Sequence, residues 1–223
     1  MHYEILSRPS YALVEAHLEM GETLVADSGA MAWMDETIET STSTRGGAFA
    51  GLKRKLLTGE SFFQNTYKAG SGPGTVALAG GSAGDVVAHE MHDGELYLEK
   101  GAFLGSSEGI RCDSKFSGLR GLFNEGLFVL RVVGSGTLFF NAYGDIQEVD
   151  VDGEYLVDNG YAVAWEPSLE YQLTKARKIR SFLFGDQILL RFSGRGKLWV
   201  QSRSPQSLAN WVHPFRRVQR KNN

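Results

Sequence analysis

The feature that most restricts the fold of this chain is one short phrase written three times. Residues 94–101 read Gly94-Glu95-Leu96-Tyr97-Leu98-Glu99-Lys100-Gly101, and residues 153–160 read Gly153-Glu154-Tyr155-Leu156-Val157-Asp158-Asn159-Gly160. Upstream, Gly21-Glu22-Thr23-Leu24-Val25-Ala26-Asp27-Ser28-Gly29 is the same phrase with one residue inserted. Each copy is a Gly-Glu turn, a short apolar strand, an acid, and a second turn glycine, which is Gly29, Gly101 or Gly160. Self-similarity of this kind points to one supersecondary unit repeated along the chain. An extra residue in a strand turns every later side chain to the other face, so the first copy needs a bulge, expected near residues 26–28.

The elements around the phrase line up as well. Ahead of the first copy, Val14, Ala16, Leu18 and Met20 alternate with Glu15, His17 and Glu19, the pattern of a strand with one buried and one wet face. After it, residues 36–44 turn polar and rich in Thr, Ser and Glu. The spacing of Phe49, Leu52, Leu56 and Leu57 predicts a short helix over 48–57, ended by Gly59. Strands follow at 61–68 and 75–78, parted by Gly70, Gly72, Pro73 and Gly74. Gly134-Ser135-Gly136 and Gly194-Arg195-Gly196 precede similar apolar stretches and are expected as hairpin turns.

Three units result, at approximately 1–82, 83–142 and 143–203. A short helix capped by Ser204 and stopped at Pro214 is expected to lie over one end of the sheet, followed by a basic tail carrying Arg216, Arg217, Arg220 and Lys221. The expected fold is a single all-β domain, a β-sandwich or double-stranded β-helix. It is built of three repeats about a pseudo-threefold axis, with one or two short helices. Twenty-seven glycines among many Val, Phe and Tyr residues fit short strands and tight turns.

Composition excludes several functions. No apolar run reaches the roughly 20 residues of a membrane helix. The start, Met1-His2-Tyr3-Glu4-Ile5, has neither a basic leader nor a long apolar segment, which with the lone Cys112 suggests a cytoplasmic protein. A net charge of −3 opposes a broad nucleic-acid surface.

The residues that could carry chemistry are few. His89 and His92 are three apart and point to opposite faces of a strand, and neither zincin nor cupin spacing is present. Glu22, Glu95 and Glu154 are equivalent in the phrase, as are Asp27, Glu99 and Asp158. About a threefold axis they could converge on a hard cation, the alternative being that they satisfy turn donors. The glycine pairs lack the lysine and following helix of a phosphate loop. Cys112 has no base beside it, and Ser106-Ser107 lacks a nucleophile elbow. Trp33, Phe103 and Trp165 recur after each second glycine and are expected as core or lid residues rather than base-stacking platforms.

The strand entering Gly21-Glu22, residues 94–109, residues 118–133 and residues 153–165 together resemble the family of altered inheritance of mitochondria protein 24. The resemblance spans residues 3–214. It implies a sandwich or double-stranded β-helix of three repeats similar to the subunit of the tryptophan RNA-binding attenuator protein, and it implies no catalytic residue or cofactor. The expectation is therefore a non-catalytic β-scaffold acting through self-association or protein partners. A small-ligand or metal-binding module at the repeat axis or an inter-sheet cleft is the alternative, and RNA binding by fold analogy is weaker.

Overall fold

The computed structural model describes residues 1–43, 64–113, 129–175 and 188–216. The helix expected over 48–57 lies outside them, as does the tail beyond Arg216. The first strands are β1 (His2–Leu6), β2 (Leu13–Leu18), β3 (Thr23–Asp27), β4 (Met31–Met34), β5 (Ile38–Ser43), β6 (Gln64–Ala69) and β7 (Gly74–Ala79). They are followed by β8 (Val86–Glu99), β9 (Phe103–Ser107), β10 (Ile110–Asp113), β11 (Val129–Asn141) and β12 (Ile146–Asp158). The last are β13 (Ala162–Trp165), β14 (Leu169–Lys175) and β15 (Ile188–Gln201), followed by an α-helix, α1 (Pro205–Val212), and a 3-10 turn at His213–Phe215.

The strands form two sheets, so the fold is all-β. One sheet has four strands in the order β1-β2-β7-β4. The other has eleven, along the path β12-β15-β13-β8-β11-β9-β3-β6-β5, with β10 beside β11 and β14 beside β15. The alternation read in β2 holds: Val14, Ala16 and Leu18 are buried while the residues between them are half-exposed. Strands covered on both sides lose that alternation. Leu24, Val25 and Ala26 of β3 are all buried, as are all four residues of β13, so both faces of these strands are covered. Three clusters of buried apolar side chains fill the interior, centred on Phe139 and Tyr67, on Leu98 and Phe140, and on Trp165 and Phe192. Arg8 ties the N-terminal arm to the buried Asp85, donating to both carboxylate oxygens at 2.8 and 2.7 Å.

The same ladders recur along the chain. β4 runs beside β7, β9 beside the second half of β11, and β13 beside the second half of β15. Each of these ladders slips by one residue, between Met31 and Trp33, between Phe139 and Phe140, and between Ala162 and Ala164. β5 pairs with β6, β10 with the first half of β11, and β14 with the first half of β15.

Several expectations need correction. β8, β11, β12 and β15 each run unbroken through a glycine where a turn was expected. Gly134 and Gly194 lie within strands at φ of 133° and 120°, a region that side chains disfavour, and the strands run on through them: the β8–β11 register shifts between Gly134 and Gly136, while the β12–β15 ladder passes Gly194 in register. At Gly134 a Cβ would stand 2.1 Å from the Gly109 carbonyl oxygen, so the missing side chain also lets two backbones approach. The polar stretch after residue 36 is strand β5, for which its β-branched threonines are suited. No bulge falls at residues 26–28: β3 pairs regularly with β6 from Thr23 to Asp27. The extra residue sits in the preceding turn, where Glu22 hydrogen-bonds Ala69 through its backbone. Helix α1 does not cover a sheet end, since none of its residues is buried.

Candidate functional site

The acid before each second glycine makes the same bond in all three copies. Asp27 Oδ2 accepts the Gly29 N–H at 3.3 Å, Glu99 Oε2 that of Gly101 at 2.8 Å, and Asp158 Oδ1 that of Gly160 at 3.1 Å. A carboxylate two residues back satisfies a donor that a tight turn strips from the ladder. Aligning the chain on these three bonds places Glu22 level with Gly94 and Gly153, not with Glu95 and Glu154.

The three glutamates accordingly do different things. Glu22 pairs with the N-terminal ammonium of Met1 and accepts the Glu19 N–H at 2.9 Å, and these bonds hold its carboxyl below the usual range. Glu95 takes a two-pronged bond from Arg131, and Glu154 faces Arg191 at 3.6 Å. The structure does not bring these six acids together. Among the described residues, no three His, Cys, Asp or Glu side chains cluster as a metal site.

The remaining candidates are also dispersed. His89 packs edge-on against Trp199 at 5.4 Å, and burial holds its imidazole below the ordinary pKa, while His92 is exposed. Ser106 is buried in β9 with no hydrogen-bond partner for its hydroxyl, so no base activates it. Ser107 Oγ accepts the Thr137 N–H at 3.1 Å. Cys112 is half-buried in β10. Phe103 and Trp165 are core residues and Trp33 is half-exposed, so the three aromatics form no shared platform.

A small cleft of about 80 Å³ opens beside Glu99, Gly101, Asn141, Tyr143, Gln201 and Pro205. Ligand pockets run to roughly 300 Å³ and more, so this one has room for a few waters at roughly 30 Å³ each. The Gln201 amide is already used: it donates to the Gly160 carbonyl and accepts the Tyr143 N–H, each at 2.8 Å.

Among the described residues, four strands end the two sheets, β1 and β4 in one and β12 and β5 in the other, and two of them, β4 and β12, present exposed apolar groups. β4 ends the four-stranded sheet and pairs only with β7 among the described strands, and β12 ends the eleven-stranded sheet and pairs only with β15. Both carry large apolar side chains into solvent. Met31, Trp33 and Met34 of β4 are 38%, 48% and 37% exposed, and Tyr155 and Leu156 of β12 are 40% and 44% exposed. Sequence reasoning placed Trp33 in a core or lid, and it did not single out Leu156. The signal available was the apolar content of those strands, which does not say whether a neighbour covers them. A further apolar group, Leu208, Trp211, Val212 and Phe215, is exposed on and after α1.

The family model described as "Mitochondrial biogenesis AIM24" matches residues 3–203. An uncharacterized protein of Streptococcus pyogenes serotype M6 is 30% identical over 226 residues, covering 96% of this chain and 91% of that protein. A crystal structure of another Streptococcus pyogenes protein superposes with a TM-score of 0.79 at 28% identity, covering 96% of this chain and 99% of that one. Among the described residues, no helix is long and apolar enough to cross a membrane.

Proposed function

This chain belongs to the AIM24 family, and from its sheet edges we propose that it is a non-catalytic β-scaffold that works by self-association. The observation that carries the reading is the exposure of Met31, Trp33, Met34, Tyr155 and Leu156 on two terminal strands. An open, apolar strand edge templates pairing with another chain, and stable monomers blunt such edges with charge, proline or a covering loop. Here β4 carries two methionines and a tryptophan and no charge, and β12, though acidic along its length, exposes Tyr155 and Leu156 between Glu154 and Asp158; methionine and aromatic side chains are enriched at interfaces. The recurring ladders favour three copies of one unit, a construction in which neighbouring units stack through like surfaces. The ligand reading draws less support, because the cleft beside Gln201 is small and its amide is satisfied.

Light scattering on the full chain across a wide dilution series tests the proposal. A mass that is a multiple of 24.5 kDa is expected. A single-chain mass at every concentration would overturn it.

A further inference from the structure

One junction is built twice inside the eleven-stranded sheet. At the first, β3 meets β9 antiparallel, with Leu24 opposite Ser107, Val25 opposite Ser106 and Ala26 opposite Gly105. At the second, β8 meets β13 antiparallel, with Tyr97 opposite Trp165 and Leu98 opposite Ala164.

The two share a register. Ala26 and Leu98 each stand immediately before the acid that holds the turn glycine, Asp27 and Glu99. Their partners Gly105 and Ala164 each sit at the slip in the β9–β11 or β13–β15 ladder, opposite Phe139 and Trp199. Those two residues in turn lie three beyond Gly136 and Gly196.

The chain contains the two halves of a third such junction and does not join them. Val157 stands immediately before Asp158, whose carboxylate holds Gly160. Trp33 sits at the slip in the β4–β7 ladder opposite Ala77, three beyond Gly74. Yet no ladder joins β12 to β4. Burial records the difference. At the formed junctions Val25, Ala26, Leu98, Ala164 and Trp165 are buried and Tyr97 is half-buried; at the unformed one Val157 is buried too, within its own chain's core, whereas Leu156, Trp33 and Met34 are exposed.

We propose that the third junction forms between chains: the outer half of β12 in one protomer pairs antiparallel with β4 of a second copy, Leu156 opposite Met34 and Val157 opposite Trp33. This rests on the self-association reading and specifies its interface. The occupant is a second copy because this chain carries the matching edge in the register that its own two junctions use. Trp33 stands where the internal junctions carry Gly105 and Ala164, and it brings the bulk of an interface anchor. The contact is heterologous, each protomer giving one edge and receiving the other, so assembly proceeds head to tail.

Two variants test this. Trp33→Lys with Met34→Lys blocks one edge, and Tyr155→Lys with Leu156→Lys blocks the other. All four positions are exposed in the single chain, so folding is expected to survive, checked by circular dichroism. Each variant alone should be a monomer. Mixed in equal amounts, they should give a two-chain species and nothing larger, because one intact edge of each kind remains.

Assembly as in the unaltered chain by either variant would overturn the junction while leaving self-association standing. So would a mixture of folded variants that stays monomeric. A single-chain mass for the unaltered protein would overturn both. Should a variant fail to fold, Cys112→Ser chains carrying Met34→Cys or Leu156→Cys replace it. Opposed Cα atoms at roughly 5 Å suit a disulfide, so oxidation of the mixture should link unlike chains. Linkage of like chains alone would sink the head-to-tail geometry.

Discussion

Glu95 and Arg131 face each other diagonally across the β8–β11 ladder, and the guanidinium donates to both carboxylate oxygens at 2.8 and 2.5 Å. Arg131 lies directly opposite Tyr97, whose phenol is pushed up first by burial and then by its hydrogen bond to Glu95. Two parallel bonds fix a planar fork better than one ammonium would. Arg191 and Glu154 hold the corresponding places on β15 and β12 at 3.6 Å, more exposed and without a two-pronged bond. Arg131→Ala is therefore expected to cost about 1 kcal/mol, the upper end for a partly exposed pair, and Arg191→Ala less. Urea denaturation of both variants decides the order.

Gly105 lies where three strands come close. A Cβ there would meet Leu78 Cδ1 at 2.7 Å and the Val25 carbonyl oxygen at 2.9 Å. The side chain could give way, but the carbonyl belongs to the β3–β9 ladder and cannot. Gly105→Ala should destabilise by about 1–3 kcal/mol through overpacking, and Gly105→Val by more. The drop in thermal midpoint measures it; an unchanged midpoint for the valine variant would mean the strands are not so closely joined.

Much of this architecture was legible from three phrases. The apolar stretches of the phrases at 23–27, 95–99 and 154–158 do lie in strands, and the acids Asp27, Glu99 and Asp158 hold turn glycines, the reading set beside the cation site from the start. The misplacement of the inserted residue has a physical cause. Sequence alignment rewarded the repeated Gly-Glu dipeptide, while the backbone is aligned by the acid-to-glycine bond, which leaves Glu22 out of step with Glu95 and Glu154. The glycines at 134, 153 and 194 misled in a different way. A glycine signals a positive φ without saying whether the chain reverses there or only bends within a long strand. The open edges were not legible, because a pattern of apolar residues reports that a strand is to be covered and not which strand covers it.

Tyr171 gives the fold an alkaline limit. It is packed 4.9 Å from Trp165, and burial first, then the neighbouring Tyr97, pushes its phenol up to about 12. Its folded pKa lies above the ordinary value of about 10, so the neutral phenol is the form the fold favours. That contribution is whole below about pH 10 and is lost as pH climbs towards 12. An ultraviolet titration of phenolate should show a late-titrating fraction that Tyr171→Phe removes, and the variant should resist alkaline unfolding better than the unaltered chain.

Helix α1 should be dispensable to the fold of a single chain. It has eight residues, and isolated helices of that length are marginal in water. What holds it is local: Ser204 Oγ accepts the Ser207 N–H at 3.3 Å, Gln206 donates to Asn210 at 2.9 Å, and Trp211 contacts Phe215 with ring centres 5.6 Å apart. None of its side chains is buried, so removing it uncovers little and leaves no cavity. Ser204 itself is buried against Gly160 and should be kept. Truncation after Ser204, made in an edge-blocked variant to remove any effect of assembly, is expected to change unfolding free energy by no more than about 0.5 kcal/mol. A larger loss in chemical denaturation would mean that Leu208, Trp211, Val212 or Phe215 docks on the sheets in solution; a small one leaves these four as exposed apolar surface.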